Sequence, residues 1–278
     1  MFVAKDVDLN TSVYIDEALS NLKANYVCPV CGGKVVVKNG SHVSPHFAHR
    51  TKRECDTFTQ DMSEWHKWWQ ERFPKRNREH VEELTINVRD YCDAAYDHGF
   101  WRSQVAETVS RYQDDEFITL KHRADVRACG YVIEFQNSPI SYEEFNERNW
   151  FYNSIGCKVV WIFNFIDEYV SGKMSCYGET NGIYGNGGKY RWKRPSKTFM
   201  SFLPQEHKKR KEDDEWIESD VLMFFQIAEH DDEEIGYIEQ VVWSGEDDDG
   251  CADFRRFITR YNVMNASEFY NAIINRKL

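Results

Sequence analysis

Hydrophobic and polar positions alternate over residues 131–136, "YVIEFQ", with the period of two that a strand imposes. Tyr131, Ile133 and Phe135 fall on one face and Val132, Glu134 and Gln136 on the other. The preceding residues, "HRADVRA", pair with this strand if Cys129-Gly130 forms a two-residue hairpin turn. Ala128 then meets Tyr131, Arg127 meets Val132, Val126 meets Ile133, and Asp125 meets Glu134. Two carboxylates so placed have Cβ atoms roughly 5 Å apart and repel one another unless a cation lies between them. The plain alternative is a solvated hairpin whose slipped register keeps the acids apart.

The pattern continues as a βαβ unit. Ser141 and Glu144 make a capping box that opens a helix over 142–154, and Gly156 ends it. "KVVWIFNF" (158–165) is a continuous apolar strand. A right-handed crossover in a mixed sheet follows, with Glu134 and Gln136 near the end of the first parallel strand and facing a cleft. Beyond it the pattern weakens into a glycine-rich loop, with strands expected at 220–227 and 236–243 and a helix over 266–275. Upstream, "DMSEWHKWWQERFP" (61–74) reads as a helix that Asp61 and Glu64 cap and Pro74 stops. Trp65, Trp68, Trp69 and Phe73 form its core stripe, while Ser63, His66 and Gln70 line a neighbouring one. A histidine beside a core stripe is either a hydrogen-bonded structural residue or a catalyst.

With 278 residues, 41% hydrophobic and 15% aromatic, the chain suffices for one large domain or two modest ones. No apolar run reaches the length of a membrane span, and "MFVAKDVDLN" lacks a signal-peptide pattern, so a cytoplasmic location is expected. Eight cysteines in such a setting are thiols or metal ligands rather than a disulfide framework.

The net charge of −11 argues against a nucleic-acid partner until its distribution is considered. Residues 212–253 hold 17 Asp or Glu and no Lys or Arg; the rest of the chain sets 29 acids against 35 bases, a balance of +6. "KYRWKRPSK" (189–197) and "HKKRK" (207–211) precede that block, with Tyr190 and Trp192 interleaved among the bases. Arg191, Lys193 and Arg194 suit a phosphate backbone, and Trp192 suits an unpaired base. A solvated basic loop is the competing reading. The acidic block reads as a plain surface, a protein-docking face or a screen against non-specific binding.

The N-terminal "NYVCPVCGGKVVVKNGSHVSPHFAHRTKREC" spaces Cys28-x2-Cys31, then His46, His49 and Cys55. A Cys-Pro-x-Cys-Gly-Gly turn brings two thiolates to one metal, and its glycines permit positive φ. With "KVVVKNG" as a short strand, a zinc ribbon of about thirty residues is expected, too small to fold without its metal. The favoured ligands are Cys28, Cys31, His49 and Cys55, with His46 as the substitute. A redox Cys pair would open a helix in a βαβ context, which is missing here.

Taken together, "CPVCGG…PHFAHR…SEWHKWW…FP…HRADV…IEFQNSPIS…ERNWFYN…VVWIFN" resembles the competence protein CoiA-like nuclease family over roughly residues 1–165. The resemblance implies an α/β fold: a small zinc-binding N-terminal region (1–58), a restriction-endonuclease-like core of the PD-(D/E)XK class (59–170), and a C-terminal α+β extension (171–278). It implies a metal-dependent nuclease, with DNA the expected substrate ahead of RNA. Asp125 and Glu134 match the motif acids that hold Mg²⁺ or Mn²⁺. Gln136 stands where the wider class has lysine, and Met62 where many members have an acid. Ser63 and His66 match "S-x-x-H", and Arg148 and Tyr152 match "R…Y". His66 or Lys121 would compensate for the missing lysine charge, and Glu82 or Glu83 would add a further acid. The alternatives are a zinc-ribbon nucleic-acid-binding protein with a degenerate core, and an adaptor whose acidic block (212–253) docks a protein partner.

Overall fold

In the computed structural model, described over residues 1–40, 44–50, 63–177, 189–192, 221–226, 237–242 and 257–278, the chain divides into two compact units. One comprises Met1–Asp97 and Trp101–Arg127, the other His98–Phe100 and Ala128–Leu278. No helix among the described residues is long and apolar enough to cross a membrane.

The first unit begins with β1 (Val3–Asp6), β2 (Thr11–Tyr14), helix α1 (Ile15–Ala18) and β3 (Tyr26–Val27), an antiparallel sheet of order β2-β1-β3. A hairpin of β4 (Val35–Lys38) and β5 (His46–His49) follows, so the valine run is a strand as expected. Phe2, Ala4, Ile15, Ala18, Tyr26, Cys28, Val35 and Phe47 form one small core, in which the Tyr26 and Phe47 rings meet edge-on at 5.2 Å. A core of this size needs a further staple to stand alone.

Helix α2 (Glu64–Gln70) starts from Ser63, whose hydroxyl accepts the N–H of His66 at 3.2 Å. Ser63 therefore caps it rather than Asp61, which lies outside the described residues. The face this helix buries runs through His66, Trp69, Gln70 and Phe73, while Trp65 and Trp68 are half-buried. The core stripe is thus rotated from the one the tryptophans alone predict. Trp68 instead carries the Arg72 guanidinium 3.9 Å above its ring, an arrangement that favours its partly exposed place. The unit is completed by β6 (Arg78–Asn87), α3 (Val88–Asp97), α4 (Ser103–Val109) and β7 (Phe117–Ala128), with β6 and β7 antiparallel.

The second unit opens with the predicted turn. Cys129 and Gly130 have φ of 52° and 93°, two successive left-handed residues as a type I′ hairpin turn requires. Then come β8 (Tyr131–Gln136), α5 (Tyr142–Ser154) and β9 (Lys158–Asn164), with β8 and β9 parallel. Ser141 Oγ accepts the Glu144 N–H at 3.1 Å, and Gly156 takes φ +77° past the helix end, as the sequence pattern predicts. Helix α6 (Ile166–Val170), β10 (Met174–Tyr177), β11 (Lys189–Trp192), β12 (Val221–Gln226), β13 (Tyr237–Val242), β14 (Phe257–Asn265) and α7 (Ala266–Ile274) complete it.

The strands of this unit run in the order β10-β11-β14-β13-β12-β9-β8. β12 and β8 both pair with β9 in parallel and the remaining pairs are antiparallel, so the fold is α/β with a mixed sheet. "KYRW" lies in β11, not in a loop. Its Lys-Tyr-Arg-Trp alternation has period two, a signal that the surrounding glycines and charges obscured. All six residues of β8 are buried, as are Phe145 to Tyr152 of α5.

Candidate functional site

Three of the proposed zinc ligands come together. Cys28 N–H donates to Gly33 O at 2.8 Å and Gly32 N–H to Cys28 O at 2.9 Å, closing the knuckle. Gly32 sits at φ +68°, where any side chain would be strained. Gly33 N–H donates to Cys31 Sγ at 3.3 Å, and a Cβ on Gly33 would come within 3.1 Å of that sulfur. The hairpin register pairs Val35 with His49 and Lys38 with His46, which sets His49 at the knuckle end. Cys31 Sγ lies 3.4 Å from His49 Nε2, and the ligand atoms of Cys28, Cys31 and His49 all fall within 4.8 Å of one another. Two thiolates and an imidazole at such separations suit a metal such as zinc, whose ligands stand about 2.0–2.3 Å from the ion. His46, three residues away in the strand, lies on the opposite face with Nδ1 2.8 Å from Ser44 O. Cys55 is outside the described residues.

Within the same unit, β7 carries Asp125 and α2 brings His66 to it. His66 Nε2 lies 2.9 Å from Asp125 Oδ1, with the histidine 1% and the aspartate 13% exposed. The other candidates nearby are occupied elsewhere. Lys121 Nζ donates to Glu83 Oε1 at 2.5 Å. Glu82 Oε1 takes Arg127 Nε at 3.0 Å and lies 3.1 Å from His80 Nδ1. Sequence reasoning missed Glu79, which is buried at φ +48° and whose carboxylate accepts the N–H groups of Phe2 at 2.7 Å and Val3 at 2.9 Å. Arg123 Nε stands 3.8 Å from it. No periodicity or motif marks that residue.

The second unit holds Glu134 and Gln136, each 1% exposed. They are buried rather than facing an open cleft, because α5 lays Arg148 onto Glu134. Arg148 Nη1 donates to Glu134 Oε2 at 2.7 Å and Nη2 donates to Glu144 Oε1 at 2.5 Å. Burial works to lower the guanidinium pKa, but Glu134 and Glu144 outweigh it and hold Arg148 above its ordinary range. The same guanidinium lies 5.7 Å from the Trp161 ring, and Trp161 Nε1 donates to Asn149 Oδ1 at 2.8 Å. Gln136 Nε2 donates to Ser138 O at 2.5 Å. A carboxylate oxygen is the kind of hard donor that a divalent cation takes.

Arg191 and Trp192 lie on β11, while Lys193 and Arg194 are outside the described residues. Of the acidic block 212–253, only β12 and β13 are described.

Residues 12–58 match the family description "Competence protein CoiA, N-terminal domain", and residues 115–176 match "Competence protein CoiA, nuclease-like domain". Over these two stretches the chain is similar to competence protein CoiA. Among curated proteins, the competence protein CoiA of Bacillus subtilis (strain 168) is 39% identical over 44 residues, which is 16% of this chain and 12% of that protein. No solved structure matches the chain. The two family matches take in Cys28, Cys31, His49 and Cys55 on one side and Asp125, Glu134 and Arg148 on the other. The CoiA-like chain thus carries a nuclease-like domain and a Cys/His cluster that could hold a metal.

Proposed function

We propose that this chain is a metal-dependent nuclease of the PD-(D/E)XK type that hydrolyses phosphodiester bonds of DNA, in a competence, recombination or defence setting in the cytoplasm. The observation that carries the reading is that both motif acids have a buried partner of their own. Asp125 is met by His66 at 2.9 Å and Glu134 by Arg148 at 2.7 Å. A carboxylate held in that way is a prepared oxygen donor rather than a solvated surface charge. Asp125 and Glu134 are the acids that the CoiA-like motif assigns to Mg²⁺ or Mn²⁺, which take oxygen ligands. Such an ion, when bound, supplies Lewis acidity and an activated water for attack on phosphorus. His66 fixes the Asp125 carboxylate, its Nε2 lying 2.9 Å from Oδ1. Gln136, tethered through Ser138, presents a neutral amide beside Glu134.

In this reading Cys28, Cys31 and His49, with Cys55 as fourth ligand, hold a structural zinc in region 1–58. The core 59–170 performs the chemistry, and the extension 171–278 contributes Arg191, Trp192, Lys193 and Arg194 to substrate binding. The acidic block 212–253 is available to a protein partner. A second reading, a degenerate core that binds nucleic acid without cutting it, is favoured by one observation. The residue in the place of lysine is Gln136, and its amide is engaged with Ser138 O.

The test is cleavage of a panel of single- and double-stranded DNA and RNA with Mg²⁺, Mn²⁺ or EDTA, beside Mn²⁺ titration of the same preparation. Cleavage that EDTA abolishes supports the nuclease. Nucleic-acid binding without cleavage, and without Mn²⁺ uptake that depends on Asp125 and Glu134, would establish the degenerate core instead.

A further inference from the structure

An arginine ordinarily meets a carboxylate with both arms of its fork, in two parallel N–H···O bonds to one partner. Arg148 divides its fork. Nη1 donates to Glu134 Oε2 at 2.7 Å, and Nη2 donates to Glu144 Oε1 at 2.5 Å. The side chains of Arg148 and Glu134 are each 1% exposed, and that of Glu144 is 21% exposed. Local structure imposes the division. Glu144 sits in the first turn of α5, its N–H held by Ser141 Oγ, and Arg148 follows one helical turn later on the same face. Glu134 reaches the guanidinium from β8. One anion is therefore supplied by the helix that carries the cation, and the other by the strand beneath it.

We infer that Glu144 is a positioning residue for the candidate cation site. It draws off the second arm of Arg148, so that Glu134 meets the guanidinium through one oxygen and keeps its anionic character toward a divalent ion. The inference rests on the reading of Glu134 as a cation ligand. With Glu144 gone, the freed arm closes on Glu134, and a two-armed ion pair competes directly with the metal. An acid in the first turn of a helix has an ordinary structural explanation, its favourable interaction with the helix dipole. That explanation makes no demand on cation affinity, and this is what separates the two.

The experiment is Mn²⁺ binding by calorimetry on the full chain with its zinc, comparing wild type with Glu134→Gln, Glu144→Ala, Glu144→Ser and Glu144→Gln. Glu134→Gln should abolish the site. Glu144→Ala and Glu144→Ser should each weaken Mn²⁺ by roughly tenfold, the scale seen when a residue supporting a metal ligand is removed. Glu144→Gln should stay near wild type, since its amide oxygen still accepts from Nη2. In metal-free protein, the Arg148–Glu134 coupling from a double-mutant cycle should grow in the Glu144→Ala background. Wild-type affinity in both Glu144→Ala and Glu144→Ser would overturn the inference. So would an equal loss in Glu144→Gln, which would mark a simple charge effect. A wild-type chain that binds no Mn²⁺, or a Glu134→Gln chain that binds it normally, would remove the cation-ligand reading itself and the inference with it.

Discussion

The Cys28–Cys31–His49 cluster and the Glu134–Arg148–Glu144 cluster gather charge by opposite means. The first is assembled by one turn and one hairpin within residues 28–49, over a core of eight buried side chains. It brings together metal-binding atoms alone, two thiols and an imidazole, and the segment is too small to keep its shape by burial. The second lies between β8, buried on both faces, and α5, with Phe145 to Tyr152 buried. There the guanidinium of Arg148 supplies the counter-charge to Glu134 and Glu144 from within the fold. One cluster would therefore owe its fold to a metal, and the other would keep its fold without one.

Metal removal should therefore split the molecule. The purified chain is expected to carry about one zinc in its N-terminal region, and stripping it forfeits a binding free energy on the order of 10 kcal/mol. Amide exchange after chelation should show residues 1–50 losing protection while β8 and α5 keep theirs. Cys28→Ser and Cys31→Ser should behave like chelation, and His49→Ala should hurt zinc retention more than His46→Ala. Uniform protection after complete zinc loss would erase the contrast.

Chemistry should fall entirely on the other side. Asp125→Asn and Glu134→Gln should each lower Mn²⁺-dependent cleavage by roughly a thousandfold, as loss of several kcal/mol of metal-assisted stabilisation implies. Zinc content should be unchanged in both. Wild-type turnover in either variant would take the nuclease site away from these acids.

Stability supplies a sharper cut. Arg148→Ala should cost about 3–5 kcal/mol in urea unfolding, because it leaves Glu134 buried without its counter-charge. Glu134→Ala should be costly for the reciprocal reason, whereas like-charge repulsion alone would have made it stabilising. A stabilised Glu134→Ala chain would mean that the cost of burying Glu134 outweighs its ion pair with Arg148.

The smallest effect is expected in the extension. Neutralising Arg191, Lys193 and Arg194 should flatten the salt dependence of nucleic-acid binding by roughly one unit of slope for each phosphate no longer neutralised, with turnover at saturating substrate unchanged. An unaltered slope would take these three residues out of substrate binding.

What could be read from the sequence follows the range of each interaction. The knuckle, the Cys129-Gly130 turn, the caps at Ser141 and past Ser154, and the βαβ unit are all local. Each was legible because a few adjacent residues determine it. The strand positions of Asp125 and Glu134 were legible for the same reason. Their partners were not. His66 stood beside a stripe of tryptophans that looked like the buried face, and only the rotation of α2 turns it inward. Arg148 matched a family motif without disclosing its task, since nothing in "FNERNWFY" tells that polar residues there are enclosed. Glu79 lies farthest from sequence logic. Its left-handed backbone and its grip on Phe2 and Val3, some 76 residues away, belong to tertiary structure alone.

The parallel pairing of β12 with β9 sets an order of assembly. β8, α5 and β9 are consecutive and can close on one another as soon as residue 164 exists, but β12 begins at Val221. During synthesis from the N-terminus, more than fifty further residues must be added before the Val159–Phe163 edge meets its second neighbour. At about 5–20 residues per second, that is an interval of seconds in which a bare apolar strand edge is open to wrong partners. The same strand that anchors the finished sheet is thus the point at which a growing chain is most exposed to misassembly.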